Sequence, residues 1–166
     1  KATKIQVVYE KDLVGEIWED RPALSKKPAW FLEDENCGAS FTEKLAVVRD
    51  EMKKKGAEAL LLTSLDDIAW LFNMRGDDIA YNPVVLSFCV IKEDEVRLFV
   101  QKGSLNAEQE MKLAAAGVLL DGYLNVYDYM KTLDVKSIWV NDQKTSYALM
   151  ENIPENVCII NGMTPV

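Results

Sequence analysis

Carboxylates are the side chains of this sequence that could support catalysis. Asp66 and Asp67 form one adjacent pair, and Asp77 and Asp78 form a second pair further along the chain. Two such pairs could hold two divalent metal ions for phosphodiester cleavage. Each pair also has a structural explanation, because the first suits the first turn of a helix and the second suits a turn beside Gly76. We favour the structural explanation and keep as an alternative an acidic, Mg²⁺-dependent nuclease, which Asp77→Asn would inactivate.

Histidine is absent from the sequence, and its absence excludes several kinds of active site. Ser-His-Asp and Cys-His arrangements lose their usual base, and His-rich zinc sites lose their ligands. Three scattered cysteines cannot replace those ligands, and no phosphate-binding GxxxxGK[ST] or GxGxxG loop occurs. We therefore expect that this chain by itself is not an enzyme.

The composition is that of a folded, acidic domain. The 166 residues are 49% hydrophobic, which is enough material for one core. A net charge of −8 argues against binding to nucleic acid or to anionic membranes. No apolar run approaches the roughly 20 residues needed to span a bilayer. The three unpatterned cysteines fit a reducing cytoplasm, where we place the protein, and the apolar runs around Cys89 and Cys158 predict buried thiols.

The elements that would position the aspartates begin after an irregular N-terminal stretch. Ile5–Tyr9 is β-prone, and the apolar spacing within Leu13–Trp18 predicts one or two helical turns. Arg21–Ser40 follows no period and contains two prolines and a glycine, which is typical of a linker.

The main body of the domain begins at Ser40. Ser40 and Glu43 have the spacing of a capping box, and the helix that follows extends to Lys55 before Gly56. A buried strand at Ala59–Thr63 leads to a second helix, which Ser64 caps and which we expect to end near Met74.

The rest of the chain alternates between strands and helices. The predicted elements are a loop (Arg75–Pro83), a hairpin (Val84–Ile91 and Val96–Val100), a helix (Asn106–Ala116), a short strand (Val118–Leu120), a helix (Tyr123–Leu133), a strand (Ser137–Val140), a helix (Thr145–Glu151) and a strand (Val157–Ile160). This order predicts an α/β fold with a mixed sheet flanked by helices.

Three stretches of the sequence resemble the three-domain aminopeptidase P branch of the creatinase/prolidase/aminopeptidase P family. Leu65–Val90, L-D-D-I-A-W-L-F-N-M-R-G-D-D-I-A-Y-N-P-V-V-L-S-F-C-V, is similar to the family pattern L-D-E-I-A-W-L-x-N-x-R-G-x-D-x-x-x-N-P-x-F. Asp12–Pro22, D-L-V-G-E-I-W-E-D-R-P, and Ser137–Leu149, S-I-W-V-N-D-Q-K-T-S-Y-A-L, agree with it as well. Val85 departs from the pattern where an aromatic residue is common, and Asp77 departs from it where serine is frequent.

The resemblance implies a creatinase N-terminal-domain architecture, which is RNase H-like. It divides the chain into the end of a preceding creatinase-like domain (1–20), a linker (21–39) and a creatinase-like middle domain (40–166), with a catalytic metallopeptidase domain expected after residue 166. It further implies a parent Xaa-Pro aminopeptidase that removes an N-terminal residue preceding proline, with two manganese or similar ions held by that catalytic domain. No metal ligand of the family falls on this chain. The implied role of the chain is to help form a homodimer and to restrict access to the active site.

Five residues are the candidates for contacts outside the domain. Arg75 opens the loop, and the resemblance implies that an arginine of this region approaches the substrate pocket; the alternative is that it pairs with Asp77 or Asp78. Tyr81 is the second candidate near the substrate. We expect Trp18, Trp30 and Phe31, in or near the linker, to contact another domain or subunit. A separate hypothesis is a stand-alone peptide- or protein-binding module with the same fold.

Overall fold

The computed structural model describes residues 11–166, so the β-prone stretch Ile5–Tyr9 lies outside the described residues. The strands are β1 (Trp30–Phe31), β2 (Ala59–Leu62), β3 (Met74–Arg75), β4 (Ser87–Lys92), β5 (Val96–Val100), β6 (Val118–Gly122), β7 (Ser137–Val140) and β8 (Cys158–Asn161). The helices are α1 (Leu13–Ile17), α2 (Asp34–Cys37), α3 (Phe41–Lys55), α4 (Leu65–Leu71), α5 (Ala107–Ala115), α6 (Val126–Lys131) and α7 (Tyr147–Glu151), and a 3₁₀ turn at Tyr123–Asn125 precedes α6. None of these helices is long and apolar enough to cross a membrane.

Six of the strands form one mixed sheet in the order β6-β5-β4-β2-β7-β8. Strand β4 runs antiparallel to both of its neighbours, β2 and β5. The other neighbouring pairs are parallel. The predicted mixed α/β sheet and the β4–β5 hairpin are therefore confirmed.

Strand β2 lies at the centre of the sheet and is buried on both faces. Leu60 and Leu62 pack in a cluster with residues of α3 and α4, such as Val48 and Ile68. Leu61 points to the opposite face and packs with residues of α6 and α7. Because successive side chains of a strand alternate between its two faces, one short apolar strand joins both halves of the core.

The predicted boundaries of α3 are confirmed by its caps. The Ser40 hydroxyl accepts a hydrogen bond from the Glu43 amide at 3.4 Å, and the Glu43 carboxylate accepts one from the Ser40 amide at 2.8 Å. Gly56 ends the helix with a left-handed φ of 73°. At this position glycine adopts the required backbone conformation without the penalty that a side chain would incur.

Helix α4 ends earlier than the sequence predicts. Its last residue is Leu71, because Asn73 adopts a left-handed φ of 53° and turns the chain into β3. Strand β3 then pairs antiparallel with β1. The stretch predicted to be a linker thus supplies β1 and the short helix α2, both in contact with the body of the domain.

Two predictions at the sheet were wrong in detail. The strand predicted to start at Val84 starts at Ser87, because residues 76–86 form hydrogen bonds among themselves instead. Cys158 is exposed, since β8 is an edge strand with few residues packed over it, whereas Cys89 in β4 is fully buried. Burial raises the pKa of the Cys89 thiol, so this thiol stays protonated and unreactive.

The side chain and backbone of Asn73 join two segments of the chain. Its amide nitrogen donates hydrogen bonds to the Asp34 carboxylate and to the Ala39 carbonyl, each at 3.0 Å. Its backbone carbonyl accepts a hydrogen bond from the Leu32 amide at 2.9 Å. Asn73 therefore ties the segment around α2 to the end of α4.

The ammonium group of Lys44 completes this network from α3. Lys44 is 4% exposed, and its Nζ donates to the side-chain oxygen of Asn73 and, at 2.9 Å, to the Trp70 carbonyl. Nζ also lies 4.7 Å from the centre of the Trp70 ring. A cation at the carboxyl end of a helix is favoured by the helix dipole and satisfies a free carbonyl, so Lys44 stabilises the end of α4.

Replacement of Asn73 should lower the free energy of unfolding substantially. We expect Asn73→Ala to lose about 3 kcal/mol, because the buried Lys44 and the exposed Asp34 each lose a partner and alanine is strained at a left-handed φ. Asn73→Gly loses the same side-chain bonds without that strain, so it should be more stable than Asn73→Ala by about 1 kcal/mol. Urea unfolding measures both values. A loss below about 1 kcal/mol for both variants would contradict this role of Asn73.

Candidate functional site at the carboxyl edge of the sheet

The carboxyl ends of the five strands that run in the same direction lie at one edge of the sheet. Strands β2, β5, β6, β7 and β8 end there, and the antiparallel β4 begins there. The loop that enters β4, residues 76–86, therefore lies at this edge. Ligand sites of α/β folds usually form outside the carboxyl ends of strands, at a point where the strand connections diverge.

Hydrogen bonds of polar side chains at this edge connect the segments that follow different strands. The Thr63 hydroxyl donates to the Lys144 carbonyl at 2.9 Å, and the Thr164 hydroxyl donates to the Asp67 carboxylate at 2.8 Å. The Asp142 amide donates to the Asn161 side chain at 3.1 Å. These bonds link the segments that follow β2, β7 and β8 into a hydrogen-bonded rim.

Arg75 is anchored to main-chain carbonyls at this edge. Its Nη1 donates to the carbonyl of Ala69 at 2.8 Å and to that of Met74 at 3.0 Å. Within the described residues it forms no ion pair with Asp77 or Asp78, and its Nε and Nη2 form no hydrogen bond. The half-buried guanidinium caps the end of α4 and keeps donors available for a carbonyl or carboxylate outside the domain.

Residues 76–86 form a compact hairpin. The Gly76 amide donates to the Pro83 carbonyl, and the Asp78 amide donates to the Val84 carbonyl, both at 3.3 Å. The Asp78 carboxylate accepts a hydrogen bond from the Leu86 amide at 2.7 Å through Oδ2. The loop predicted from its glycine and proline is therefore an ordered structure with its own hydrogen bonds.

Contacts from outside fix the hairpin to the domain. The Asn82 side chain donates to Asp66 of α4 at 3.3 Å. Lys27, from the stretch predicted to be a linker, donates through Nζ to the Asp77 carbonyl at 2.8 Å. Both sides of the hairpin are thereby held against the carboxyl edge.

Tyr81 is at the tip of this hairpin and points into solvent. Its side chain is fully exposed, and its backbone has a φ of 65°. A non-glycine residue in the left-handed region costs about 1 kcal/mol, and the hairpin must supply that energy. Ile79, which faces Asn82 across a β-bridge, is also exposed. The hairpin therefore presents an aromatic and an aliphatic side chain at its tip.

The four aspartates that suggested a metal site are not gathered around one point. Asp66, Asp67 and Asp78 accept the hydrogen bonds described above, and the side chain of Asp77 is exposed. Across residues 11–166 the structure brings together no group of three or more His, Cys, Asp or Glu side chains that could hold a metal ion. The arrangement does not fit the two-metal nuclease alternative.

An aromatic group that the sequence did not reveal packs near the hairpin. Phe88 stacks on Tyr123 with ring centres 4.9 Å apart and meets Tyr127 edge-on at 6.4 Å. Burial, followed by the nearby Tyr127 and Asp78, raises the pKa of Tyr123, which therefore stays neutral. These residues lie far apart in the sequence, and only the sheet order brings them together.

The three aromatic candidates for an interface differ in exposure. Trp18 is 45% exposed with the Arg21 guanidinium 5.8 Å from its ring centre, and Trp30 is 39% exposed. Phe31 instead packs against the core cluster of α3 and α4. A role of these residues in an interface stays a prediction.

A sequence model of the creatinase/prolidase N-terminal domain matches residues 20–166. The chain belongs to this family. Two curated relatives are Xaa-Pro aminopeptidase 1 of Dictyostelium discoideum, 40% identical over 133 residues, and a probable Xaa-Pro aminopeptidase P of Coprinopsis cinerea, 36% identical over 160 residues. These alignments cover 79% and 96% of this chain but 21% and 25% of the relatives. The resemblance found in the sequence is confirmed.

Solved structures of the family have the same fold. The X-prolyl aminopeptidase of Caenorhabditis elegans, described as a cytosolic enzyme with a di-nuclear active site, has a TM-score of 0.86 and 29% identity. That match covers 95% of this chain and 27% of the C. elegans chain. A Xaa-Pro dipeptidase from Bacillus anthracis matches 74% of this chain and 34% of its own with a TM-score of 0.51 and 15% identity, a likeness of fold alone. The predicted creatinase N-terminal-domain architecture is confirmed.

Gly76 should be intolerant of a side chain in this creatinase-like domain. A Cβ at this position would lie 2.6 Å from Val85 Cγ2 and 3.1 Å from the Val84 carbonyl oxygen. We expect Gly76→Ala to lower the free energy of unfolding by about 2 kcal/mol through overpacking. Thermal unfolding measures the change. Gly162→Ala is the matched control, because its Cβ would come no closer than 3.4 Å to other atoms; equal losses in both variants would contradict the overpacking argument.

Proposed function

We propose that this chain is the non-catalytic creatinase-like domain of a Xaa-Pro aminopeptidase, a hydrolase that releases an N-terminal residue preceding proline. The observation that carries the proposal is the similarity to the C. elegans X-prolyl aminopeptidase across 95% of this chain. The two curated relatives described above are named for the same activity. The chain aligns with a quarter or less of each of those relatives, so the peptidase activity is a property that we assign to the whole protein.

The metal chemistry of such an enzyme would be supplied by residues outside this chain. The sequence has no histidine, and residues 11–166 hold no candidate cluster of ligands. The C. elegans relative is described as having a di-nuclear active site. We propose two manganese or similar divalent ions in a separate catalytic domain of the same protein, with Xaa-Pro peptides as substrate and the cytoplasm as location.

The contribution of this domain, in our proposal, is to restrict access to the catalytic domain and to help form a homodimer. An ordered hairpin with an exposed tip supports the first role, because a rigid projection excludes bulky chains at little entropic cost. Exposed Trp18 and Trp30, outside the main body, support the second role. We further propose that residues 1–20 end a preceding domain, that 21–39 connect the two domains and that 40–166 form the middle domain.

Hydrolysis of Xaa-Pro peptides with added Mn²⁺ tests the assignment. We expect activity from the full-length protein and none from the 166-residue chain, because the metal ligands lie outside it. An inactive full-length protein would contradict the enzyme assignment and favour a stand-alone peptide- or protein-binding module. Activity in the chain alone would contradict its non-catalytic role.

Arg75→Ala in the full-length protein tests whether this edge reaches the substrate. If Nε or Nη2 of Arg75 contacts bound peptide, kcat/KM should fall about tenfold, the equivalent of one hydrogen bond to a charged group. The protein should remain folded by circular dichroism, since Arg75 lies at the margin of the core.

Arg49→Ala is the matched control for Arg75→Ala. Arg49 also donates to a carbonyl, that of Lys92 at 3.1 Å, but it lies at the opposite edge of the sheet. Its replacement should change kcat/KM less than about twofold, because it faces away from the candidate site. Unchanged kinetics in Arg75→Ala would limit Arg75 to anchoring the loop.

A further inference from the structure

The hairpin of residues 76–86 depends on the side chain of Asp78. Three main-chain hydrogen bonds join its two arms, from Gly76 to Pro83, from Asp78 to Val84 and from Asn82 to Ile79, and each is long at 3.3 Å. The bond from the Leu86 amide to Asp78 Oδ2 is much shorter, at 2.7 Å, and its acceptor is charged. Charge-assisted hydrogen bonds of this kind are stronger than bonds between neutral groups. The carboxylate therefore accepts the shortest hydrogen bond between the two arms of the hairpin.

The carboxylate of Asp78 is partly buried and is therefore not an ordinary surface charge. Its second oxygen, Oδ1, is buried and has no hydrogen-bond partner among the described residues. A buried carboxylate oxygen without a partner is unfavourable, so the Leu86 bond is formed against a desolvation penalty. Its neighbour Asp77, by contrast, has an exposed side chain without a side-chain hydrogen bond in the described structure.

Closure of the hairpin by Asp78 determines the conformation of Tyr81 at its tip. Tyr81 has a left-handed backbone and a fully exposed side chain, so no packing of its own ring holds it in place. Its conformation is imposed by the arms of the hairpin, which Asp78 joins. The loss of the Asp78 bond would release the strained tip into other conformations.

We propose that Asp78 is a positioning residue, which closes the hairpin so that Tyr81 reaches the peptide-binding path of the catalytic domain. This inference rests on the proposed function, since it requires a neighbouring site for Tyr81 to reach. Asp78 itself is not proposed to contact the substrate. It acts by fixing where the aromatic side chain lies before the peptide binds.

Kinetics of the full-length protein on a Xaa-Pro peptide, with Mn²⁺, test the proposal. Tyr81→Ala and Asp78→Ala should each raise KM about fivefold with kcat changed less than about twofold, because both lose a pre-positioned contact rather than a chemical step. The double variant should show no further increase, since both changes remove the same contact. Asp78→Asn should give a KM between those of the wild type and Asp78→Ala, because its amide oxygen can still accept from Leu86 but carries no charge. Asp77→Ala is the matched control and should leave KM unchanged.

Amide hydrogen exchange of the peptide covering residues 76–86 separates this inference from the proposed function. Asp78→Ala should increase exchange in this peptide, and Asp77→Ala should not. Unchanged exchange in Asp78→Ala, or additive effects of the two alanine variants on KM, would overturn the positioning role. If Tyr81→Ala leaves KM unchanged, the hairpin does not contact the substrate. The positioning role of Asp78 toward the substrate is then wrong as well, even if Asp78→Ala increases amide exchange. Asp78→Leu, which has the same number and branching of side-chain heavy atoms but no acceptor, replaces Asp78→Ala if that variant does not fold.

Discussion

The left-handed turn at Asn73 is the constraint on which the candidate site depends. It ends helix α4 at Leu71 and sends the chain into β3, which places Arg75 next to the carbonyl groups at the end of that helix. Asparagine suits this position because its short polar side chain tolerates a positive φ and can bind nearby backbone. Here it binds the segment around α2 as well and accepts from the buried Lys44. A continued helix would carry Arg75 and the hairpin away from the edge of the sheet.

The reversed strand β4 determines where the hairpin lies. If β4 were parallel to β2, the chain would have to enter β4 at the opposite edge of the sheet, after a crossover connection. Because β4 runs antiparallel to β2, the short connection from α4 stays at the carboxyl edge and enters β4 directly. The same reversal places Phe88 beside Tyr123, which follows β6 at that edge. One antiparallel strand in an otherwise parallel sheet thus gathers residues from separate parts of the sequence.

Local signals explain which parts of the fold could be predicted. The capping box of Ser40 and Glu43, the stop at Gly56 and the hairpin of β4 and β5 all depend on residues close in sequence, and each was confirmed. The pairing of β1 with β3, the start of β4 at Ser87 and the exposure of Cys158 depend on contacts between distant segments, which periodicity cannot show. Arg75 and Tyr81 were named from motif and loop signals. Asp78 also falls on the aspartate of the family pattern R-G-x-D, but its importance follows from its bond to an amide eight residues later, and the pattern does not reveal that bond.

The chemistry of the chain limits what it can contribute to a peptidase. Because the sequence has no histidine, no side chain has an unperturbed pKa near neutrality. These residues are therefore poorly suited to general acid–base catalysis at neutral pH. The four aspartates, which could have held metal ions, bind backbone and side chains of the same domain or face solvent. The domain instead offers fixed positions for its groups: a hydrogen-bonded rim, an arginine that caps α4 and has free donors, and a hairpin whose tip is ordered before any ligand binds. Pre-positioned groups of this kind act mainly on binding, because their ordering entropy is lost during folding and not when the peptide binds. In our proposal, a domain of this composition influences which peptides reach a neighbouring active site, and residues of a separate catalytic domain perform the bond-breaking step.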